Sequence, residues 1–301
     1  MIQQENFDCV PPACADETRF PIEDSKTSVS LGSDETLTQV NESIRLIQRE
    51  GGLHFGTDAY LLAAYVTPRP RARAVDLGSG TGIIPLLCLA RAKVASVVAV
   101  ELQPSFCDLI NRNARLNGYA DLASPETSRL RALQADVRSL HARDVGGEVD
   151  IVTANPPYMA PGAGKTNQAD ELTLARHEIA GGIGDFCAAA GRLLKHGGRF
   201  YCVFRPERLG DLFLALREAH LEPKRMTAVQ ATVSAPPSMV LIEAVKYASP
   251  SLRLTPPLCL SEHDLLSPHK PAQPLVQTAD AAYVYKHCAF PPAFTGENRR
   301  G

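Results

Sequence analysis

The stretch RAVDLGSGTGIIPLLCLARA, residues 73–92, decides the fold. Ala74, Val75 and Leu77 form a short apolar run of strand character, and from Ile83 the apolar residues run on long enough for a helix. Between the two, Gly78, Gly80 and Gly82 are spaced G-x-G-x-G. Glycines at such a junction let the chain turn sharply out of a strand and let a ligand approach the main chain. A bare glycine loop is a weak signal, because nicotinamide and flavin sites use a related G-x-G-x-x-G.

Outward from this unit the same rhythm repeats. ASVVAVE (95–101) reads as a second strand and PSFCDLINRNARLNG (104–118) as an amphipathic helix. Pro104 opens that helix, Phe106, Leu109, Ile110 and Asn113 share one face, and Gly118 stops it. RLRALQADV (129–137) and EVDIVTA (148–154) are the third and fourth strands. GIGDFCAAAGRLLKHGG (182–198) is a helix with a glycine stop, RFYCVF (199–204) a fifth strand, and PERLGDLFLALREAHL (206–221) a helix opened by proline. Two late strands follow, near 224–232 and 238–247. Strands alternating with helices predict an α/β protein with a mostly parallel sheet covered on both faces. The two late strands predict an antiparallel hairpin on one edge. Upstream, GLHFGTDAYLLAAYV (52–66) reads as a loop and then a helix, capped by Thr57 or Asp58 and closed by Pro68 and Pro70. Residues 1–37 are polar and acidic and predict a disordered lead, 38–247 one domain, and 248–301, with eight of the 23 prolines, an irregular tail.

The bulk numbers narrow the class. In 301 residues, 45% are hydrophobic and 21% charged, ordinary values for a globular protein. The longest apolar run, Ile83 to Ala90, is far too short to span a bilayer, and the polar start MIQQENFDCV predicts no secretory signal. The expectation is a cytoplasmic protein with no membrane association. The eight cysteines (9, 14, 88, 107, 187, 202, 259 and 288) form no C-x-x-C pair and predict inert thiols rather than a metal site. Net charge is −2, but residues 1–50 hold ten acidic and four basic groups while 191–250 hold nine basic and five acidic. That mild basic bias suits a polyanionic partner without demanding one.

Three acids stand at successive strand ends: Asp76 just before the glycine loop, Glu101 closing the second strand and Asp136 closing the third. Open α/β sheets bind ligands at this edge. An acid before the loop repels a pyrophosphate and suits a ligand carrying an ammonium group. A carboxylate at Glu101 can grip both hydroxyls of a ribose, and one at Asp136 can accept from an adenine amino group. Alone, each reads as a capping or solvated side chain; as an ordered set they point to a cationic nucleoside, of which S-adenosyl-L-methionine is one.

The fourth strand runs into Asn155-Pro156-Pro157-Tyr158. Proline cannot donate to a sheet, so the strand stops here. The nitrogen of an aromatic amine or amide is flat, its lone pair delocalised. Two acceptors on its N–H groups, the Asn155 side-chain carbonyl and the Pro156 main-chain carbonyl, can hold it and favour a pyramidal geometry. The prolines fix that carbonyl, and Tyr158 offers a stacking face. No general base is needed before methyl transfer, because the product cation can lose its proton afterwards.

Asp76 to Gly82, Glu101, Asp136 and Asn155 to Tyr158 together resemble the motif set of class I S-adenosylmethionine-dependent methyltransferases acting on planar nitrogens. GLHFGTDAYLLAAYV and ARHE (175–178) further resemble the bacterial tRNA(Val) adenine N6-methyltransferases, which modify the adenine beside the anticodon. The resemblance covers roughly residues 38–247. It implies a Rossmann-like, seven-stranded sheet with an antiparallel last strand and a tRNA substrate. It implies Asp76, Gly78, Gly80, Gly82, Glu101 and Asp136 around the cofactor, Asn155 to Tyr158 around the target amine, and Asn155 in reach of the cofactor as well. It also implies Thr57 near the methionine end of the cofactor and Arg176 and His177 on the substrate side. The acidic lead and the proline-containing tail depart from the family.

Other readings stay open. Glutamine methyltransferases of release factors carry the same Asn-Pro-Pro-Tyr, but with a helical domain before the first strand, and the region before Ala74 is short here. A DNA adenine methyltransferase would need an added recognition domain, for which residues 248–301 are small. A nucleotide-binding oxidoreductase leaves Asn155 to Tyr158 and Asp136 without a task, and a non-catalytic RNA-binding module leaves the intact motif unused.

Overall fold

The computed structural model describes residues 29–49, 56–121, 127–157, 181–262 and 276–295. Tyr158, Arg176, His177, Cys9 and Cys14 lie outside the described residues. In chain order the elements are β1 (Glu35–Asn41), β2 (Ile44–Arg49), α1 (Thr57–Tyr65), β3 (Arg73–Leu77), α2 (Ile83–Ala90), β4 (Ser96–Glu101), α3 (Pro104–Leu116), β5 (Leu130–Gln134) and β6 (Val149–Ala154). They continue with α4 (Ile183–Leu193), β7 (Leu194–Phe204), α5 (Leu209–Glu218), β8 (Leu221–Gln230), β9 (Pro237–Lys246), β10 (Arg253–Leu254), β11 (Leu258–Cys259), α6 (Ala279–His287) and α7 (Pro292–Thr295).

The central sheet runs β10-β8-β9-β7-β6-β3-β4-β5, with β11 also pairing β8. β3 pairs in parallel with β4 on one side and β6 on the other. The strand order therefore reverses at β3, which opens a crevice at its carboxyl end. Seven of these strands form the mostly parallel sheet expected, with β9 antiparallel to both neighbours. The late hairpin is present, but β9 lies between β7 and β8 rather than outside them. The two-residue strands β10 and β11 then pair with β8 and bring the sheet to nine strands.

Each face of the sheet has its own apolar layer. One joins α1, α2 and the inward residues of the sheet with Val284, Cys288, Phe290 and Phe294 of the last segment. The other joins α4 and α5 to the opposite face. Residues 276–295 are therefore held on the body. The Tyr60 hydroxyl donates to the Tyr285 carbonyl at 2.7 Å, and the Tyr65 and Phe290 rings meet edge-on at 5.1 Å. The prolines of this segment hid a packed helix whose apolar residues have partners only in the tertiary structure.

Three departures from the sequence reading have local causes. α4 stops at Leu193, short of the expected Gly197–Gly198, because Leu194 is fully buried in the sheet opposite Val149. Gly197, at a φ of 72°, turns an irregular stretch of β7 instead. The helix α1 is closed by Lys93 as well as by the prolines. Its buried ammonium donates to the carbonyls of Ala63, Ala64 and Val66 at 2.7–2.9 Å, meeting acceptors that a helix end leaves open. The hairpin β1–β2, where Val40, Ile44 and Ile47 give the sequence only a short apolar spacing, is held by asparagines. Asn113 accepts from Ile47 N at 2.7 Å and donates to Ile47 O, and Asn117 makes the same pair of bonds with Arg45. The side-chain amides of Asn113 in α3 and of Asn117 at its C-cap, four residues on, thus satisfy alternate residues of an edge strand as a neighbouring strand would.

Candidate functional site

The register sets three loops level. Leu77 pairs with Val100 and with Ala154, so Gly78, Glu101 and Asn155 all leave the sheet at the same edge. The loop after β3 turns through Gly78, Gly80 and Gly82 at φ values of 67°, 56° and 84°. All three lie in the left-handed region, where a side chain is strained. At Gly80 an added Cβ would meet nothing within 4 Å, so this glycine faces open space.

Glu101 organises the loop. Its Oε2 accepts from Gly80 N at 2.9 Å, and its Oε1 accepts from Leu102 N and Gln103 N at 2.9 and 3.0 Å. A carboxylate oxygen accepts in about two directions, which leaves Oε2 room for one further donor. Asp76 is only 1% exposed. Rather than facing the crevice as the charge argument anticipated, its oxygens accept from Ser79 Oγ at 2.6 Å and Thr153 Oγ1 at 2.5 Å. Burial, reinforced by the nearby Glu101 charge and opposed by these two hydroxyls, pushes its carboxyl up to about 7. Asp136 lies beyond the end of β5 and is paired with Arg138, whose Nε donates to both oxygens at 2.9 Å. This bond holds the Asp136 carboxyl below its ordinary value.

Asn155 and Pro156 follow β6, with Pro156 buried. The Asn155 side chain donates from Nδ2 to Asp58 Oδ2 at 2.9 Å. The cap expected at Thr57 or Asp58 is instead Gly56, which uses no side chain; Thr57 is the first residue of α1 and Asp58 sits in its first turn. Asp58 Oδ1 accepts from Ala59 N at 2.8 Å. The structure thus gathers Gly78, Gly80, Gly82, Asp76, Glu101 and Asn155 with the first turn of α1 at one sheet edge. Sequence reasoning had not assigned Ser79, Thr153 or Asn113, or linked Asp58 to Asn155. The polar Thr153 inside an apolar strand and Asn113 on an apolar helix face were the available signals. Asn113 Nδ2 also donates to Thr81 O at 3.0 Å, which ties the glycine loop to the hairpin.

Of the six described cysteines, Cys107 touches a site residue, its Sγ donating to the Glu101 main-chain oxygen at 3.6 Å. Five of the six described are buried, and burial pushes the Cys88 and Cys187 thiols up to about 12, well outside the thiolate range. Among the described residues no group of three or more His, Cys, Asp or Glu could hold a metal ion, and no helix is long and apolar enough to cross a membrane.

An open sheet reversing at β3, a glycine loop at the reversal and an Asn-Pro-Pro turn beside it define a Rossmann-like methyltransferase. The chain belongs to the methyltransferase small domain family, whose model matches residues 50–214. A protein of Aliivibrio fischeri named tRNA1(Val) (adenine(37)-N6)-methyltransferase is 30% identical over 195 residues, covering 64% of this chain and 77% of its own length. A protein of the same name from Parabacteroides distasonis is 29% identical over 189 residues, 62% of this chain and 75% of that one. Among solved structures, that of a predicted O-methyltransferase from Agrobacterium tumefaciens superposes with a TM-score of 0.57 at 21% identity, covering 78% of this chain and 98% of that chain. This last likeness speaks for the fold alone.

Proposed function

We propose that the protein transfers a methyl group from S-adenosyl-L-methionine to the exocyclic N6 of an adenine in tRNA, beside the anticodon. The observation that carries the reading is the level exit of the glycine loop, Glu101 and Asn155-Pro156 from one sheet edge. The residues present suit the cofactor: Gly80 opens onto free space and Glu101 Oε2 has room for a ribose hydroxyl. Gly78, Gly80, Glu101 and, beyond β5, Asp136 would hold the nucleoside, with Thr57 toward its methionine end. When bound, the cofactor supplies an electrophilic sulfonium methyl group.

The chain's own residues present the nucleophile. Asn155 Oδ1 and the Pro156 carbonyl accept the two N–H groups of the amine and draw its lone pair out of conjugation. With the cofactor bound, that lone pair would take the methyl carbon, the C–S bond being exchanged for a C–N bond and its electron pair left on sulfur. The methylated nitrogen then sheds a proton to solvent, so no buried base is called for. Tyr158, two residues after Pro156 in the sequence, would supply a stacking face for the base. Buried Asp76 holds Ser79 and Thr153, and so keeps the loop and β6 in fixed relation. A tRNA substrate places the reaction in the cytoplasm.

The test is incubation with methyl-labelled cofactor and, separately, tRNA, adenine-containing duplex DNA or a release factor, followed by nucleoside analysis. The expected product is N6-methyladenosine in tRNA. Label only in the release factor would overturn the reading. Asn155→Ala should lose transfer by roughly 100-fold or more, the scale of removing one preorganised transition-state contact, while S-adenosylhomocysteine still binds.

A further inference from the structure

We propose that Asp58 is a positioning residue: it fixes the flip of the Asn155 amide, so that the NH2 faces Asp58 and the carbonyl oxygen faces the acceptor amine. The proposal rests on the reading above, in that the crevice receives an amine. The chemistry of the pair decides the orientation. A carboxylate only accepts, so Asn155 can bond Asp58 Oδ2 only through Nδ2, as it does at 2.9 Å. The amide is planar, which sends Oδ1 along the other branch. An unrestrained asparagine would divide its time between that orientation and the reverse, which offers a donor to a donor.

Asp58 is itself held. Its Oδ1 accepts from Ala59 N at 2.8 Å, and the positive end of α1 favours a carboxylate in the first turn. Gly56 makes room for it: a Cβ there would come within 2.6 Å of Asp58 Oδ1. Any other residue at position 56 would push the carboxylate away from where it meets Asn155. The first turn of α1 thus sets a proton-acceptor direction at the end of β6, 97 residues later in the chain.

Asp58→Asn tests this. With its oxygen kept on Ala59 N, the substituted amide turns its NH2 toward Asn155, which must flip and show a donor to the substrate. The expected result is a fall in kcat of roughly 100-fold, as for loss of a preorganised contact. The Kd for S-adenosylhomocysteine should stay within about twofold, because the change lies on the acceptor side. The double variant Asp58→Asn/Asn155→Asp restores the pattern: the amide at 58 donates to the new carboxylate, whose second oxygen accepts from the amine. It should recover to within roughly tenfold of the wild-type kcat, a rescue no merely structural role would produce. An unchanged kcat in the single variant, a collapse of S-adenosylhomocysteine binding, or a double variant no better than the single would each overturn the proposal. If the wild type proves inert on tRNA, the acceptor reading fails separately. The Asn155 side-chain amide protons, read by NMR as slowly exchanging in the wild type and fast in Asp58→Asn, then still decide the positioning role.

Discussion

Asp76→Asn should change the pH dependence of stability in a way that isolates one buried carboxyl. The carboxyl is pushed from 3.8 up to about 7 in the folded protein. Between those values the folded protein holds a proton that the unfolded chain has released. Its contribution to stability is therefore full below about pH 4 and is lost as the pH rises through about 7. A rise of this size corresponds to about 4 kcal/mol in all, at roughly 1.4 kcal/mol for each tenfold. Between about pH 5 and about pH 8 the part lost is about 2.5 kcal/mol. Asparagine has nearly the same shape but does not titrate, and the hydroxyls of Ser79 and Thr153 can each donate or accept, so both hydrogen bonds can be kept. Urea unfolding of wild type and variant at intervals across that range, followed by circular dichroism without cofactor, reads the difference directly. All other titrating groups are common to both proteins. The stability of Asp76→Asn relative to wild type should climb by about 2.5 kcal/mol from the acid to the alkaline end. A constant difference at every pH would refute the argument, because Asp76 would then be ionised at both ends of the range or at neither.

Two further outcomes follow from the same geometry. Glu101→Gln keeps an oxygen for Leu102 N and Gln103 N but sets an NH2 against Gly80 N, so S-adenosylhomocysteine should bind at least about tenfold more weakly by calorimetry, roughly 1.4 kcal/mol; equal affinity would count against Glu101 as a ligand. Asn113→Leu leaves Ile47 N, Ile47 O and Thr81 O without their side-chain partner. At about 1–3 kcal/mol for each buried group left unsatisfied, the loss should be several kcal/mol on urea unfolding, with faster exchange of the Ile47 amide; an unchanged midpoint would show that the hairpin is held by other contacts.

Much of the architecture is local in origin and so could be read from the chain. The β3–loop–α2 unit declares itself because period, glycine spacing and the strand-to-helix change all agree within twenty residues of sequence. The alternation after it leaves a parallel sheet as the natural outcome. Proline after Asn155 marks the end of β6 for a covalent reason, the missing donor. Chain chemistry alone therefore determines that Gly78, Glu101 and Asn155 stand at strand ends.

What those groups face was decided by the fold. By order along the chain Asp76 reads as turned toward a ligand, because strand-end position says nothing about direction; in the fold Thr153, 77 residues away, meets its carboxylate inside the protein, and the burial that goes with this position raises its pKa against the pull of that hydrogen bond. Asn113 looked like an irregularity on an apolar face until β2 came alongside with two unpaired main-chain groups. The helix at Ala279–His287 drew no signal from a proline-containing segment because its few apolar residues find their partners on α1 and the sheet. Asp58 read as a cap because capping is a local interaction. Its bond to Asn155 joins two elements that meet only after the sheet has formed. Local covalent constraints and periodicity can be inferred from order along the chain, whereas the direction of a polar side chain depends on which distant group arrives to satisfy it.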